Sequence, residues 1–250
     1  MTRVTTVELQ GVSHRYGRRS ALTDVSLQLH SGVVGLLGPN GAGKSTLMKV
    51  LSTVLVPQTG SVTFDGLDIT REPDQARALL GYLPQRFDVM GFSTVRHNVE
   101  YAAWAHGLDR SEAHDAANDI LERVDLAGRA RSLARSLSGG MRQRLGIACA
   151  MVHRPAVLLL DEPTVGLDPQ QRFELRTMIA ELGRDSIILI STHLVEDLTR
   201  SASQVVVMHA GRITYDGTIA GLEQLGSDPD AAYASSLEAG YHAVLASRRD

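Results

Sequence analysis

The stretch that most constrains this chain is Gly38-Pro39-Asn40-Gly41-Ala42-Gly43-Lys44-Ser45-Thr46. It fits the pattern Gly, four residues, Gly-Lys-Ser/Thr, whose backbone amides surround phosphate groups. An apolar run at 33–37 precedes it and predicts a buried strand; after it, Leu47, Val50, Leu51 and Val54 recur at helical spacing. A glycine-rich turn with an exposed lysine is the alternative. The order strand, loop, helix favours a phosphate site, because the amides of such a loop and helix start converge on one point.

Lys44 and Ser45 are expected to act on bound phosphates in different ways. Lys44 supplies a mobile positive charge suited to β- and γ-phosphate oxygens. The hydroxyl of Ser45 is placed to ligate magnesium. The loop therefore predicts a site for a nucleoside triphosphate with Mg²⁺.

Length, composition and charge narrow the class of protein. The chain has 250 residues, of which 43% are hydrophobic and 21% charged, as in an ordinary globular protein. This is enough for one large α/β domain or two small ones with a substantial core. The formal net charge of -3 argues against a general nucleic-acid binder, for which a basic stripe is expected. We therefore predict no nucleic-acid partner.

One cysteine and the lack of long apolar runs bear on location. Cys149 alone forms no intrachain disulfide, which favours a reducing compartment, and its helical spacing with Leu145 and Val152 indicates core packing. Residues 1–4 lack the apolar core of a signal peptide, and no stretch approaches the roughly 18 apolar residues of a membrane span. If this protein works at a membrane, another chain is expected to cross it.

Strands dominate the first third of the sequence and helices the middle. Alternation through Val7, Leu9 and Val12 predicts an edge strand, and further strands are expected near 22–29, 61–65 and 79–83. From 87 to 136 apolar residues recur at helical intervals, and Asp109 with Glu112 predicts a capping box. We predict one domain over 1–225 with a helical insertion at about 87–140, followed by a tail at 226–250 with a short helix.

Two continuous apolar runs, 157–160 and 187–190, predict parallel strands that are covered on both faces. The first run is followed by Asp161, suited to hold magnesium, and by Glu162, suited to polarise the water that attacks the γ-phosphate. The second is followed at short distance by His193, whose imidazole is suited to contact the γ-phosphate and orient that water. Open α/β sheets bind ligands at such strand ends.

A second anion-binding helix start is predicted at Ser138-Gly139-Gly140, where a hydroxyl and two glycines precede helical spacing. A plain helix cap is the alternative, because serine and glycine are common at helix starts. The stretch resembles the Leu-Ser-Gly-Gly-Gln signature motif of ABC-type ATPases, with Met141 in the last place. The departure affects a position outside the serine and glycines that contact phosphate in that family.

The resemblance extends from about residue 7 to residue 217 and covers six elements in the family's order. Residues 38–46 resemble the Walker A loop, and 157–162 resemble the Walker B strand with its glutamate. The remaining matches are Gln85 with the Q-loop glutamine, residues 166–168 ending in Asp168 with the D-loop, His193 with the switch histidine, and Tyr16 with the aromatic residue that stacks on adenine.

The resemblance implies an α/β fold, a P-loop NTPase with a mainly parallel core sheet, an antiparallel N-terminal β subdomain and a helical insertion. It also implies an ATP hydrolase that uses ATP and Mg²⁺, with Gln85 as a further metal ligand and Lys44, Gln85, Glu162 and His193 in catalysis. Two copies, or one copy and a related cassette, would pair head to tail. The helix that starts at Ser138 in one copy would then close on the ATP held by the other.

The resemblance further implies separate transmembrane permease subunits and a peripheral place on the cytoplasmic face of the membrane. Similarity to two-component drug or peptide exporters favours export over import. The alternative is a soluble cassette ATPase that moves no solute, such as one serving cofactor assembly. Between 87 and 92, four apolar residues are expected either to line a groove for a permease helix or to pack under the insertion.

Overall fold

The computed structural model describes residues 4–182, 186–198, 202–226 and 235–246. Its strands are β1 (Thr6–Tyr16), β2 (Arg19–His30), β3 (Gly32–Leu37), β4 (Thr59–Phe64), β5 (Leu67–Asp68), β6 (Leu80–Leu83), β7 (Val157–Asp161), β8 (Ile187–Thr192), β9 (Ala202–His209) and β10 (Arg212–Gly217). Its α-helices are α1 (Lys44–Leu51), α2 (Pro73–Ala78), α3 (Val95–Ala105), α4 (Arg110–Arg123), α5 (Gly139–Met151), α6 (Pro169–Leu182), α7 (Ile219–Leu225) and α8 (Ser236–Ala246).

The strands form two sheets of different character. One sheet is antiparallel, with the order β2-β1-β4-β5, and the other has the order β10-β9-β3-β8-β7-β6. In the second sheet the neighbours from β9 to β6 are parallel, and only β10 pairs antiparallel. The predicted α/β fold, with a mainly parallel core sheet and an antiparallel N-terminal subdomain, is confirmed.

The prediction that the first strand lies at a sheet edge is wrong. β1 pairs with β2 on one side and with β4 on the other, so it is a central strand of its sheet. The alternation that predicted it is real, because Val7, Leu9 and Val12 are all buried. Alternation shows which face of a strand is covered, but not how many neighbours the strand has.

The helix after the phosphate loop is shorter than its spacing suggested. α1 ends at Leu51, and Thr53 adopts a positive φ of 59°, which turns the chain away from the helix axis. Val54, expected on the buried helical face, is instead 67% exposed. Leu47, Val50 and Leu51 are buried as expected.

The middle of the chain forms the predicted helical insertion. Asp109 and Glu112 form the capping box of α4, in which each side chain accepts from the other residue's backbone amide. α3 and α4 bury apolar faces in one cluster with α5. Cys149 of α5 packs there, its thiol donating to the Asn98 carbonyl oxygen at 3.7 Å, and burial raises its pKa to about 12.

The C-terminal helices pack beside β9. Leu237, Tyr241 and Val244 of α8 are buried in one cluster with Val195 and Leu198. Their spacing of four and three residues puts them on one face of α8. Residues 227–234 and 247–250 of the predicted tail lie outside the described residues, and the boundary at 225 stays a prediction.

Two histidines stack where the insertion meets the core sheet. The rings of His106, at the end of α3, and His153, just after α5, lie 3.5 Å apart and nearly parallel, at 6°. His153 Nε2 lies 3.1 Å from the Leu80 carbonyl oxygen, to which a neutral ring donates. Burial, reinforced by the neighbouring His106, lowers the pKa of His153 to about 4.

This shift predicts acid sensitivity. The unfolded chain takes up a proton near the ordinary pKa of 6.5 and the folded chain only near 4, so the stabilisation is complete above 6.5 and is lost as pH falls towards 4. After allowance for partial exposure of the ring, we expect the free energy of unfolding to fall by about 2 kcal/mol from this group. Urea unfolding at neutral pH and near pH 4.5 measures it. His153→Gln should reduce the dependence, whereas His30→Gln, at an exposed position, should leave it unchanged. Equal pH dependence in His153→Gln and the unmodified chain would contradict the assignment.

Candidate functional site

Four neighbouring parallel strands deliver the predicted residues to one edge of the core sheet. In space they run β3, β8, β7, β6. Loop 38–46 follows β3, His193 follows β8, Glu162 follows β7 and Gln85 follows β6. Because the carboxyl ends of parallel strands share an edge, four segments that are far apart in sequence come together.

The phosphate loop has a shape that requires glycine. Gly41 and Gly43 have φ values of 81° and 107°, in the region that L side chains rarely adopt. A Cβ at Gly43 would also lie 2.5 Å from the Ala21 carbonyl oxygen. The Gly211 amide, in the hairpin between β9 and β10, donates to the Ala42 carbonyl oxygen at 2.9 Å. The loop therefore packs against β2 of one sheet and the β9–β10 hairpin of the other, immediately before α1.

Lys44 lies in the centre of this loop and is 5% exposed. Its ammonium donates to the Gly38 carbonyl oxygen at 2.6 Å and to that of Pro39 at 3.3 Å. Burial lowers the pKa of Lys44, and the Glu162 and Asp161 carboxylates act in the opposite direction. The fold thus keeps a cation within the loop, against the carbonyl oxygens of its first two residues.

Glu162 brings the other groups together. One carboxylate oxygen, Oε2, accepts from Gln85 Nε2 at 3.0 Å and lies 3.6 Å from His193 Nδ1. The other, Oε1, lies 3.9 Å from Lys44 Nζ. The side chain of Glu162 is only 10% exposed, whereas Gln85 and His193 are exposed, so the carboxylate is shielded on the side of Lys44 and the other two partners are open to water. An amide, an imidazole and an ammonium therefore surround one carboxylate.

The backbone of Glu162 is held in an unusual conformation. Its φ of 51° lies in the left-handed region, which is uncommon for a residue other than glycine, asparagine or aspartate. Its amide donates to Ser191 Oγ at 3.0 Å, and the Ser191 hydroxyl donates to the Asp161 carboxylate. Sequence reasoning gave Ser191 no role. The parallel register, which pairs Asp161 with Ser191, is the signal that places this hydroxyl between the Asp161 carboxylate and the Glu162 amide.

The predicted magnesium ligands are oxygen donors of three kinds. Asp161 is 2% exposed at the end of β7, Ser45 is exposed in the first turn of α1, and Gln85 directs its amide nitrogen towards Glu162. Among the described residues no three His, Cys, Asp or Glu side chains cluster as a protein-only metal cage. One carboxylate with neutral oxygens suits Mg²⁺, which usually completes its shell with phosphate and water.

Three predicted features lie apart from this cluster. Ser138 caps α5 by accepting from the Met141 amide at 3.3 Å, and with Gly140 it borders a cavity of about 180 Å³ between α5 and α6. Asp168 accepts from the Gln171 amide at 2.9 Å and so caps α6. Tyr16, at the end of β1, is 48% exposed, and its ring meets the His14 ring edge-on at 4.9 Å.

Comparisons with known proteins agree with this architecture. The sequence profile of a family described as ABC transporter matches residues 22–165. A daunorubicin resistance ATP-binding protein of Streptomyces coeruleorubidus is 39% identical over 216 residues, which cover 86% of this chain and 68% of that protein. A methionine import ATP-binding protein of Rhizobium johnstonii is 36% identical over 246 residues, covering 96% of this chain and 67% of that protein.

A solved structure described as an ATP-binding subunit of an ABC transporter superimposes with a TM-score of 0.82 and 28% identity, covering 96% of this chain and 100% of that one. The chain therefore belongs to the ABC transporter family. It is an ATP-binding subunit, and its ATPase activity is coupled to transport. Within the described ranges, none of the helices has the length and apolar character needed to cross a membrane.

Proposed function

We propose that ATP is hydrolysed at the shared edge of β3, β8, β7 and β6, with Glu162 polarising the attacking water. One observation carries this proposal: Gln85, His193 and Lys44 all lie within 4 Å of the Glu162 carboxylate, at 3.0, 3.6 and 3.9 Å. A general base needs an oriented, partly dehydrated carboxylate near the reacting phosphate. Loop 38–46 would hold the phosphates through its amides, and His193 would contact the γ-phosphate.

Magnesium would be held by Ser45, Gln85 and Asp161, together with phosphate oxygens. The donor set supports this, because Mg²⁺ favours oxygen ligands and few carboxylates. When bound, the ion would neutralise part of the charge on the phosphates. Tyr16 would stack on the adenine ring through its exposed face.

Hydrolysis by the purified full-length chain tests the site directly. We expect phosphate release from ATP to require Mg²⁺, to stop on addition of EDTA and to resume when Mg²⁺ is restored. Lys44→Ala should weaken binding of a fluorescent ATP analogue by about tenfold or more, because the buried cation is lost from the phosphate loop. Thr177→Ala, on the exposed face of α6, is the matched control. Unchanged nucleotide affinity in Lys44→Ala would contradict the proposal.

We further infer that two copies, or this chain and a related cassette, enclose ATP between them. The α5 helix start at 138–140 has a capped N-terminus that borders a cavity of about 180 Å³ lined by α5, α6 and the segment after α4. Its residues contact their own helix or α6, rather than the phosphate loop. A second anion-binding end that does not contact the first would be used when another copy supplies the phosphate. Asp168, at the start of α6, would lie at the same junction.

The transport role is proposed to involve separate permease subunits at the cytoplasmic face of the membrane. A groove of about 370 Å³ beside β6 and α3 supports a docking place for one of their helices. Phe87 packs so close to α5 that a Cβ at Gly146 would lie 2.6 Å from its ring, whereas Phe92 is 82% exposed with the Arg135 guanidinium 4.7 Å from its ring centre. Phe87 thus packs against α5 and also lines the groove together with Val89 and Met90, whereas Phe92 is not part of the groove lining.

Export of a drug-like or peptide compound is the direction that we favour. The support is the resistance function in the name of the relative from Streptomyces, together with the motif similarity described above. A relative that is 36% identical is named as a methionine import protein, so similarity of the cassette does not by itself favour export. The cargo is not encoded in the ATP site, because the chemistry of that site is the same whatever is moved.

A further inference from the structure

Asp197 is a buried carboxylate that lies outside the cluster around Glu162. It is 4% exposed and ends the short 3-10 turn Val195–Asp197 that follows β8. Its Oδ2 atom accepts from Thr164 Oγ1 at 2.6 Å and from Thr192 Oγ1 at 2.9 Å. A buried charge needs such partners. Both partners lie where a core strand gives way to a site loop, so the carboxylate joins the ends of β7 and β8.

The other carboxylate oxygen faces a cation. Asp197 Oδ1 lies 3.7 Å from Arg176 Nη1, and the same nitrogen donates to the Glu196 carbonyl oxygen at 2.6 Å. Arg176 belongs to α6, the helix that Asp168 caps. Charge compensation through the guanidinium makes the carboxylate a stable acceptor in a buried place. It also links both site loops to α6.

On one side the network fixes the turn that carries His193. The Thr192 hydroxyl accepts from the Leu194 amide at 3.0 Å, which bridges the backbone across His193, and it donates its proton to Asp197. A hydroxyl rotates freely unless both roles are assigned. Because the Thr192 hydroxyl proton is directed at Asp197, the lone pairs of the same oxygen are left to accept from the Leu194 amide. These hydrogen bonds restrain the turn that places the imidazole near Glu162.

On the other side the network holds the segment after Glu162. Thr164 is 3% exposed and follows Glu162 by two residues, with Pro163 between them. Glu162 has a φ of 51°, and such a conformation persists only where its surroundings determine it. The Ser191 hydroxyl restrains the Glu162 amide, and Asp197 restrains Thr164. Glu162 is therefore restrained at its own amide and, through Thr164, on its C-terminal side.

We propose that Asp197 is a positioning residue for ATP hydrolysis, which sets the placement of Glu162 relative to His193 through Thr164 and Thr192. The inference rests on the proposed roles of Glu162 and His193. Asp197 itself contacts neither nucleotide nor the reacting atoms. Misplacement of a reacting group by about 1 Å costs on the order of 100-fold in rate, so the variants should lower kcat by about 10- to 100-fold. Phosphate binding by loop 38–46 does not depend on the network, so ATP affinity should stay within about twofold of normal.

The experiment uses the full chain and four measurements: kcat, KM, the affinity for a fluorescent ATP analogue and the melting temperature. Thr164→Val and Thr192→Val each remove one hydroxyl at nearly constant volume, and Asp197→Asn removes the charge. Thr164→Ser and Thr192→Ser restore the hydroxyls, and Thr177→Val is the same exchange outside the network, where the hydroxyl bonds only its own helix at Phe173. If Asp197→Asn does not fold, the threonine series carries the test.

Supporting results are a fall in kcat at normal ATP affinity in both valine variants and rescue by serine. Each valine exchange should also have little further effect in the Asp197→Asn chain, because the residues act as a unit. Normal kcat in the folded valine variants, even with lower melting temperatures, would overturn the inference and leave a structural role only. Parallel loss of ATP affinity would overturn it as well. A Glu162→Gln chain measured alongside distinguishes failure of this inference from failure of the proposed function. If Glu162→Gln retains turnover, the proposed function and this inference are both wrong. If Glu162→Gln is inactive while Asp197→Asn is normal, only this inference is wrong.

Discussion

Glu162→Gln is expected to lower steady-state ATP hydrolysis by about 10²- to 10⁴-fold, the range typical of a lost general base. The exchange keeps the size of the side chain and one acceptor oxygen while removing the negative charge, so the fold should be preserved. ATP binding should also persist, since the phosphate loop contributes most of the contacts and Glu162 lies 3.9 Å from Lys44 Nζ rather than within the loop. Measuring phosphate release tests the loss of hydrolysis, and measuring nucleotide affinity in parallel tests whether ATP binding persists.

The same variant should accumulate as a dimer with ATP retained, because closure no longer ends in hydrolysis. Size-exclusion chromatography coupled to light scattering, with and without ATP, reports this state. Glu181→Gln provides a matched exchange at an exposed position near the end of α6, outside both the Glu162 cluster and the lining of the cavity beside Ser138. Rapid hydrolysis by Glu162→Gln would remove Glu162 from its assigned role, and an ATP-independent monomer would count against closure around nucleotide.

The second large effect concerns composite sites. Chains carrying Lys44→Ala and chains carrying Ser138→Arg are each expected to be nearly inactive alone, because every site in either homodimer has one damaged half. When the two are mixed, random pairing makes about half of the dimers mixed, and each mixed dimer has one intact site of two. If sites work independently, roughly a quarter of normal hydrolysis should return.

The return of activity on mixing is the decisive observation, because a site built within one chain would predict none. The same number of inactive chains mixed with their own kind is the control for concentration. Retention of ATP by the mixed sample in the Glu162→Gln background adds a readout that does not need turnover. An absence of both recovered hydrolysis and retained ATP would show that Ser138 does not serve the phosphate loop of a partner.

The site could be predicted from sequence because its residues follow buried strands directly. Residues 157–160 and 187–190 are apolar without interruption, and the polar residues after them had only one edge of the sheet on which to lie. What brings Gln85 to Glu162 is the strand order β3-β8-β7-β6, which no single segment encodes. The position of β1 was mistaken for the same reason, since its second neighbour, β4, begins more than 40 residues later.

The supporting network could not be found in this way. In the sequence its members look like ordinary polar loop residues. What connects them is visible only in space: the hydroxyls of Thr164 and Thr192 both donate to one buried carboxylate oxygen of Asp197. The apolar residues at 87–92 show that identical side chains close in sequence can also have different surroundings. Phe87 and Phe92 are the same side chain five positions apart, yet one packs against α5 and the other is 82% exposed. Composition cannot separate them, because the difference arises from the turn of the chain after β6.

The positive φ of Glu162 has a consequence for anyone who would engineer this chain. A residue with a Cβ costs on the order of 1 kcal/mol more than glycine in the left-handed region, so a search for greater thermal resistance would choose glycine or asparagine at this position early. The resulting variant would be more heat-resistant but would no longer hydrolyse ATP. At position 162, thermal resistance and turnover therefore favour different residues.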